Sequence, residues 1–181
     1  MSKAAVLALS LLAGAPLLAG CGFHPLYATP DLPGGASMRD TLRSIYVEPV
    51  PEHLGYQLRN QVIDLLDAKS DVRGARYRLK LTLTTKSEAV GIQSQTTTSG
   101  VTQTAITRYN DTVNVEYELV DARSNTVLAK GVETGLSAYN VLPSPYATLA
   151  GQKDADRRAA EDIADRIRVD VAVWFAEEAK K

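Results

Sequence analysis

Tyr77-Arg78-Leu79-Lys80-Leu81-Thr82-Leu83-Thr84 alternates between apolar and polar side chains without a slip. Successive side chains on a strand point to opposite faces, so Tyr77, Leu79, Leu81 and Leu83 share one side and Arg78, Lys80, Thr82 and Thr84 the other. Thr112 to Leu119 repeats the pattern: Val113, Val115, Tyr117 and Leu119 stand against Thr112, Asn114, Glu116 and Glu118. Two half-buried strands of this kind suit an antiparallel sheet with one covered face. Paired as a hairpin centred near Thr98-Ser99-Gly100, they place Arg78 opposite Glu118 and Lys80 opposite Glu116. Opposite charges directly across a sheet contribute roughly 0.2–1 kcal/mol per pair, so register and charge agree.

Between the two strands, Lys86 to Arg108 is dominated by Thr, Ser, Gln and Gly. Its β-propensity is high and its apolar content low. Such a ribbon cannot build a core and is expected to project as a partner-contacting finger, with a loose loop as the alternative.

Upstream, Ser44-Ile45-Tyr46-Val47-Glu48 reads as a first strand, ended by Pro49 and Pro51. Leu54 to Leu66 carries apolar residues at 54, 58, 62, 65 and 66 with Ile63 beside them, which is helical spacing. Downstream, Asp121 to Asn125 is turn chemistry, and Thr126 to Tyr139 returns as a strand in which Gly131 and Gly135 imply bulges or close backbone approach. Leu142-Pro143-Ser144-Pro145 is a rigid break. Ala155, Ala159, Ala160, Ile163, Ala164, Ile167, Val171 and Trp174 then make an apolar stripe on a long helix ending near Lys180. Its other face carries Asp154/Arg158, Asp162/Arg166 and Arg166/Asp170 at i,i+4 spacing. The expected fold is α+β: an antiparallel four-stranded sheet with two helices packed on one face, in the order β-α-β-β-β-α.

The N-terminus has a different character. Lys3 precedes an almost unbroken apolar run from Ala4 to Ala19, the composition of a secretory signal. The run is short for a membrane span, which needs ~20 residues, and Gly14 and Pro16 weaken it as a helix. Cys21, the only cysteine, follows the small pair Ala19-Gly20 directly. Leu18-Ala19-Gly20-Cys21 resembles the lipobox of bacterial lipoproteins, in which the thiol is alkylated by a diacylglycerol and the chain is cut before the cysteine. The alternative is an ordinary signal peptide with an incidental cysteine. Alkylation would remove a lone thiol that has no disulfide partner, and several acyl chains suffice for stable anchoring.

Three segments are therefore expected: 1–20 as signal peptide, 21–43 as lipidated N-terminus and tether, and 44–181 as one domain. The tether reading rests on Ala28 to Met38, where Pro30, Pro33 and the Gly34-Gly35 pair lie close together. Loss of residues 1–20 leaves 161 of the 181 and removes Lys3, so the basic residues fall from 20 to 19 against 21 acidic ones, a net charge of −2. So balanced a chain is not built to hold nucleic acid by bulk electrostatics.

Catalytic patterns are missing. The two histidines, His24 and His53, are far apart in sequence, and no HExxH, GxSxG, phosphate loop or GxGxxG occurs. No cofactor and no metal are expected. Arg76, Arg78, Lys80, Lys86 and Arg108 are candidates for contact with a phosphorylated lipid or a partner. Arg78 and Lys80 have glutamates to pair with; Lys86 and Arg108 lack an obvious partner and are the better candidates.

Cys21-Gly22-Phe23-His24-Pro25-Leu26-Tyr27 resembles the CGFxPLY opening of the LptE family of lipopolysaccharide (LPS) assembly lipoproteins. The resemblance continues more weakly through Tyr77-Arg78-Leu79, Thr107-Arg108-Tyr109-Asn110 and Ser144-Pro145-Tyr146. It implies a non-enzymatic outer-membrane lipoprotein, lipidated at Cys21, that plugs the lumen of the β-barrel partner LptD and assists delivery of lipopolysaccharide to the outer leaflet. Gly22, in place of an Asp after the cysteine, resembles outer-membrane sorting. Two other readings stand beside it: a substrate-binding accessory lipoprotein of another envelope transporter, and a periplasmic enzyme on a tether.

Overall fold

The structure, a computed structural model, describes residues 37–180 apart from 69, 70, 97 and 101. The lipobox and the motif residues Cys21, Gly22, Phe23, Pro25, Leu26 and Tyr27 lie outside the described residues. Helix α1 (Met38–Arg43) is followed by strand β1 (Ile45–Val47), helix α2 (His53–Leu66), strands β2 (Tyr77–Thr96), β3 (Thr102–Asp121) and β4 (Val127–Asn140), and helix α3 (Pro145–Glu178). One four-stranded sheet has the order β1-β2-β3-β4.

The α+β class holds, with two corrections. The sheet is mixed: β1 pairs parallel with β2, Ile45 beside Tyr77 and Val47 beside Leu79, while β2–β3 and β3–β4 are antiparallel. A strand, a helix and a strand in succession return the chain to the same end, and that connection makes neighbouring strands parallel. A third helix, α1, occupies what the sequence reading assigned to the end of the tether. Ser37 caps it, accepting the Asp40 N–H at 3.1 Å while its hydroxyl donates to the Asp40 carboxylate at 2.7 Å. Met38 and Leu42 on α1 are buried, so the packed unit begins before residue 44.

The hairpin register also differs. Arg78 faces Val120, Lys80 faces Glu118 and Thr82 faces Glu116, two residues from the charge-matched expectation. A shift of two keeps every side chain on its expected face. Leu79, Val113, Val115 and Leu119 are fully buried against Leu58 and Val62 of α2 and Ile163, Ile167 and Val171 of α3. Phe175, not Trp174, ends the buried stripe of α3; Trp174 packs edge-on against it at 4.9 Å.

The glycines of β4 make room for what lies over them. A Cβ on Gly131 would sit 2.5 Å from the Tyr117 hydroxyl, and one on Gly135 would sit 2.7 Å from Ile163 Cδ1. This is the close approach that the sequence implied. The Pro145 end of the rigid break starts α3, with proline in its first turn, where a missing N–H costs nothing. Among the described residues, no helix is long and apolar enough to cross a membrane.

Candidate interface: the open sheet face and the ribbon

The sheet face away from α2 and α3 is centred on four successive rows. From β2 through β3 to β4 they read Lys80-Glu118-Lys130, Thr82-Glu116-Val132, Thr84-Asn114-Thr134 and Lys86-Thr112-Leu136. Thr134 donates to Asn114 across one row at 2.8 Å. Most of this face is polar, but Val132 and Leu136 stand 61% and 60% exposed on the edge strand. Sequence reasoning missed these two, because the poor alternation of β4 hid which residues turn outward.

The ribbon is the second feature. β4 ends where Asn140 pairs with Arg108, whereas β2 and β3 stay paired out to Thr96 and Thr102. About six further residues per strand, at ~3.3 Å each, carry the hairpin roughly 20 Å past the four-stranded part. From Thr84 to Val90 every side chain is exposed. A register shift between Ala89 and Ile92 marks the ribbon's base. Such irregularities change the local twist and re-aim the strands.

The five candidate cations do not form one cluster. Arg76 lies over the Tyr77 ring at 5.6 Å. Arg78 donates to Glu48 at 3.1 Å and to Asn125, so Glu48 takes the role expected of Glu118. Lys80 pairs with Glu118 at 3.5 Å, not with Glu116. Lys86, read as unpartnered, pairs with Glu88 at 2.9 Å; the bond raises the lysine pKa and lowers that of the glutamate. Residues two apart on a strand share a face, which is why neighbours in sequence can meet here. Arg108 is held at the base of the ribbon by the side-chain amide oxygens of Asn110 and Asn140, each at 3.3 Å. Both are neutral, so its hydrogen bonds leave its charge uncompensated.

The covered face is electrostatically different. Tyr117 donates to Asp170 of α3 at 2.9 Å; burial and that carboxylate push its pKa up. Glu133, on the same face of β4, has its pKa raised first by burial and then by Asp170, with Arg166 opposing. The guanidinium of Arg166 also donates to the Thr134 carbonyl at 2.9 Å, covering one outward backbone group on the sheet edge.

Comparison with known proteins agrees with this architecture. A family profile described as LptE, lipopolysaccharide-assembly, matches residues 42–171. A crystallised Caulobacter crescentus CB15 protein, described as a lipoprotein, is 26% identical, with a TM-score of 0.60 over 77% of this chain and 96% of that one. A Xanthomonas campestris protein shares 10% identity at a TM-score of 0.50, over 76% and 87% of the two chains. Rare lipoprotein B from Shewanella oneidensis matches at 15% identity and a TM-score of 0.49, over 74% and 95%. No curated protein matches. The family profile covers well over half of the sequence, and on that ground the chain belongs to the LptE family of non-enzymatic lipopolysaccharide-assembly proteins.

Proposed function

We propose that this protein is an outer-membrane lipoprotein, held by acyl chains on Cys21, that seats in the lumen of the β-barrel LptD and assists passage of lipopolysaccharide to the outer leaflet. The observation that carries the reading is the two-stranded ribbon continuing past β4, contiguous with a largely polar open face. A monomer has no need of either. The lumen of a large barrel is polar, and a plug for it must offer polar strand faces, not an apolar patch. Residues 21–36, with the Gly22 to Tyr27 motif, supply the reach between anchor and folded unit. Arg108, held only by neutral oxygens, is the first candidate to meet a phosphate or a barrel carboxylate, and Lys86, already paired with Glu88, the second. Arg76, Arg78 and Lys80 are occupied within the fold.

Excision of residues 91–107, with a two-residue turn joining Val90 to Arg108, removes the projecting part and leaves the core rows paired. Co-purification of the barrel is expected to fall by an order of magnitude or more, and the outer membrane to admit a large antibiotic, while circular dichroism of the variant stays native. A folded variant that retains both co-purification and the permeability barrier overturns the assignment of the ribbon as the contact. Mass spectrometry tests the anchor separately: residues 1–20 absent and acyl chains on Cys21.

A further inference from the structure

Among the described residues, the buried polar atoms without a hydrogen-bond partner include one carboxylate oxygen. Asp111 of β3 is 4% exposed, and its Oδ1 has no hydrogen-bond partner among the described residues. Leaving a buried carboxylate oxygen without a hydrogen-bond partner costs free energy.

The surroundings are also acidic. Asp111 lies on the covered face, directly across the sheet from Ser137 of β4. Ser137, itself fully buried, donates to Asp156 of α3 at 2.7 Å. The adjacent row closes the far side with Tyr109 and Tyr139, their rings stacked at 5.7 Å. Tyr139 lies close enough to feel both carboxylates, Asp111 more than Asp156. No ion pair among the described residues involves Asp111 or Asp156. Asp156 is thus bonded to the residue directly across the sheet from Asp111, with Tyr139 in the next row, and among the described residues neither carboxylate has an ion-pair partner.

We propose that Asp111 and Asp156, with Ser137 and Tyr139, bind a hard divalent cation of the calcium or magnesium class between the sheet and the first half of α3. All the available donors are oxygens, the set such ions take and softer metals do not favour. Two carboxylates with the rest of the shell from hydroxyls and water put the site in the weak class, roughly 10⁻⁴–10⁻³ M. No third acidic, histidine or cysteine ligand joins them among the described residues. The ion would tie β3, β4 and α3 together at the base of the ribbon. There the buried apolar side chains of the helix are small: Ala155, Ala159 and Ala160.

The test uses the detergent-purified full chain after chelator treatment, with Tb³⁺ as the probe and its tyrosine-sensitised emission as the readout. Saturable emission displaced by Ca²⁺ is expected, at least tenfold weaker in both Asp111→Asn and Asp156→Asn. Asp162→Asn, in the separate acidic cleft that includes Glu133, Asp165 and Asp170, should bind as wild type does. Millimolar Ca²⁺ should also raise the wild-type melting temperature by a few degrees and leave that of Asp156→Asn unmoved. If Asp111→Asn does not fold, Asp156→Asn decides, since it alters a half-buried side chain and removes one acceptor. Undiminished emission in Asp156→Asn, loss of emission in Asp162→Asn, or no Ca²⁺-dependent rise in melting temperature overturns the site. The last result would mean that Asp111 is satisfied by water.

Discussion

β2 and β3 are continuous strands of 20 residues each, yet their two ends are different objects. From Tyr77 to Thr85, with Asp121 to Val113 opposite, one face is apolar and buried under two helices. From Lys86 to Thr96, with Thr112 to Thr102 opposite, the same backbone ladder continues while the core residues stop, and Val90 and Ile106 stand exposed. An isolated two-stranded hairpin is marginal in water. The outer half forms because the inner half fixes its register. Hydrogen bonding therefore sets the shape of the ribbon, and burial sets where the stability lies.

That comparison breaks first at Leu79. Leu79→Asp should unfold the domain, because an unpaired carboxylate in the core costs several kcal/mol out of the ~5–15 kcal/mol that holds a domain together. Thr82→Asp, three positions along and on the open face, should cost no more than the ~1 kcal/mol of its new repulsion with Glu116 opposite. Circular dichroism with urea titration checks both. Equal tolerance at the two positions would show that the covered face is not where the stability lies.

The next largest effect is expected at the β4 glycines. In Gly135→Ala the new methyl meets Ile163 Cδ1, with the Ala159 carbonyl at 3.4 Å behind it, so α3 must lift or Ile163 must change rotamer. In Gly131→Ala the methyl displaces the Tyr117 ring and with it the bond to Asp170. Each should cost about 1–3 kcal/mol in a denaturant titration, the usual penalty for overpacking. Thr134→Val, between the two glycines but turned to the open face, should cost far less, since Thr134 is exposed.

Alternation made the two central strands legible, because a period of two admits one division into faces. The exact register was not legible. Arg78 opposite Glu118 was attractive on charge, but an exposed pair is worth at most ~1 kcal/mol, too little to decide between registers that bury the same face. Parallel pairing of β1 followed from the strand-helix-strand order, and an antiparallel expectation overrode it. Helix α1 carried its own signature in Ser37-Met38-Arg39-Asp40, a capping pattern hidden beside a proline- and glycine-rich stretch. The acidic box could not be read at all. Asp111, Ser137 and Asp156 come from three elements, and only the fold makes them neighbours.

A smaller effect concerns pH and the edge of the covered face. Burial and Asp170 raise the pKa of Glu133, so the folded state holds its proton more tightly than the unfolded chain does. Between the ordinary carboxylate range and the raised value the folded state binds more protons, and stability from this group falls as pH rises through that window. Glu133→Gln removes the titration. The variant should gain slightly on wild type in urea midpoint at neutral pH, and the difference should vanish below the ordinary carboxylate range. A variant less stable at neutral pH would mean that the Arg166 contact at 3.7 Å outweighs the burial penalty.

The smallest effect on the fold is expected in the outer half of the hairpin, and it sharpens the comparison most. Lys86→Glu breaks the pair with Glu88, yet both side chains are largely solvated, so the melting temperature should not move measurably. Arg108→Glu removes two bonds to neutral asparagine oxygens at the base of the ribbon and should likewise leave the dichroism spectrum native. If the ribbon and open face are the partner surface, the same two reversals should weaken co-purification of the barrel in a graded way. Arg108→Glu should act more strongly, because its charge is not already met by a neighbouring carboxylate. Steeper salt dependence of co-purification in wild type than in Arg108→Glu would tie the effect to charge and not to shape. Loss of folding in either variant would contradict the division between a core that holds the molecule together and a ribbon that the core holds out to solvent.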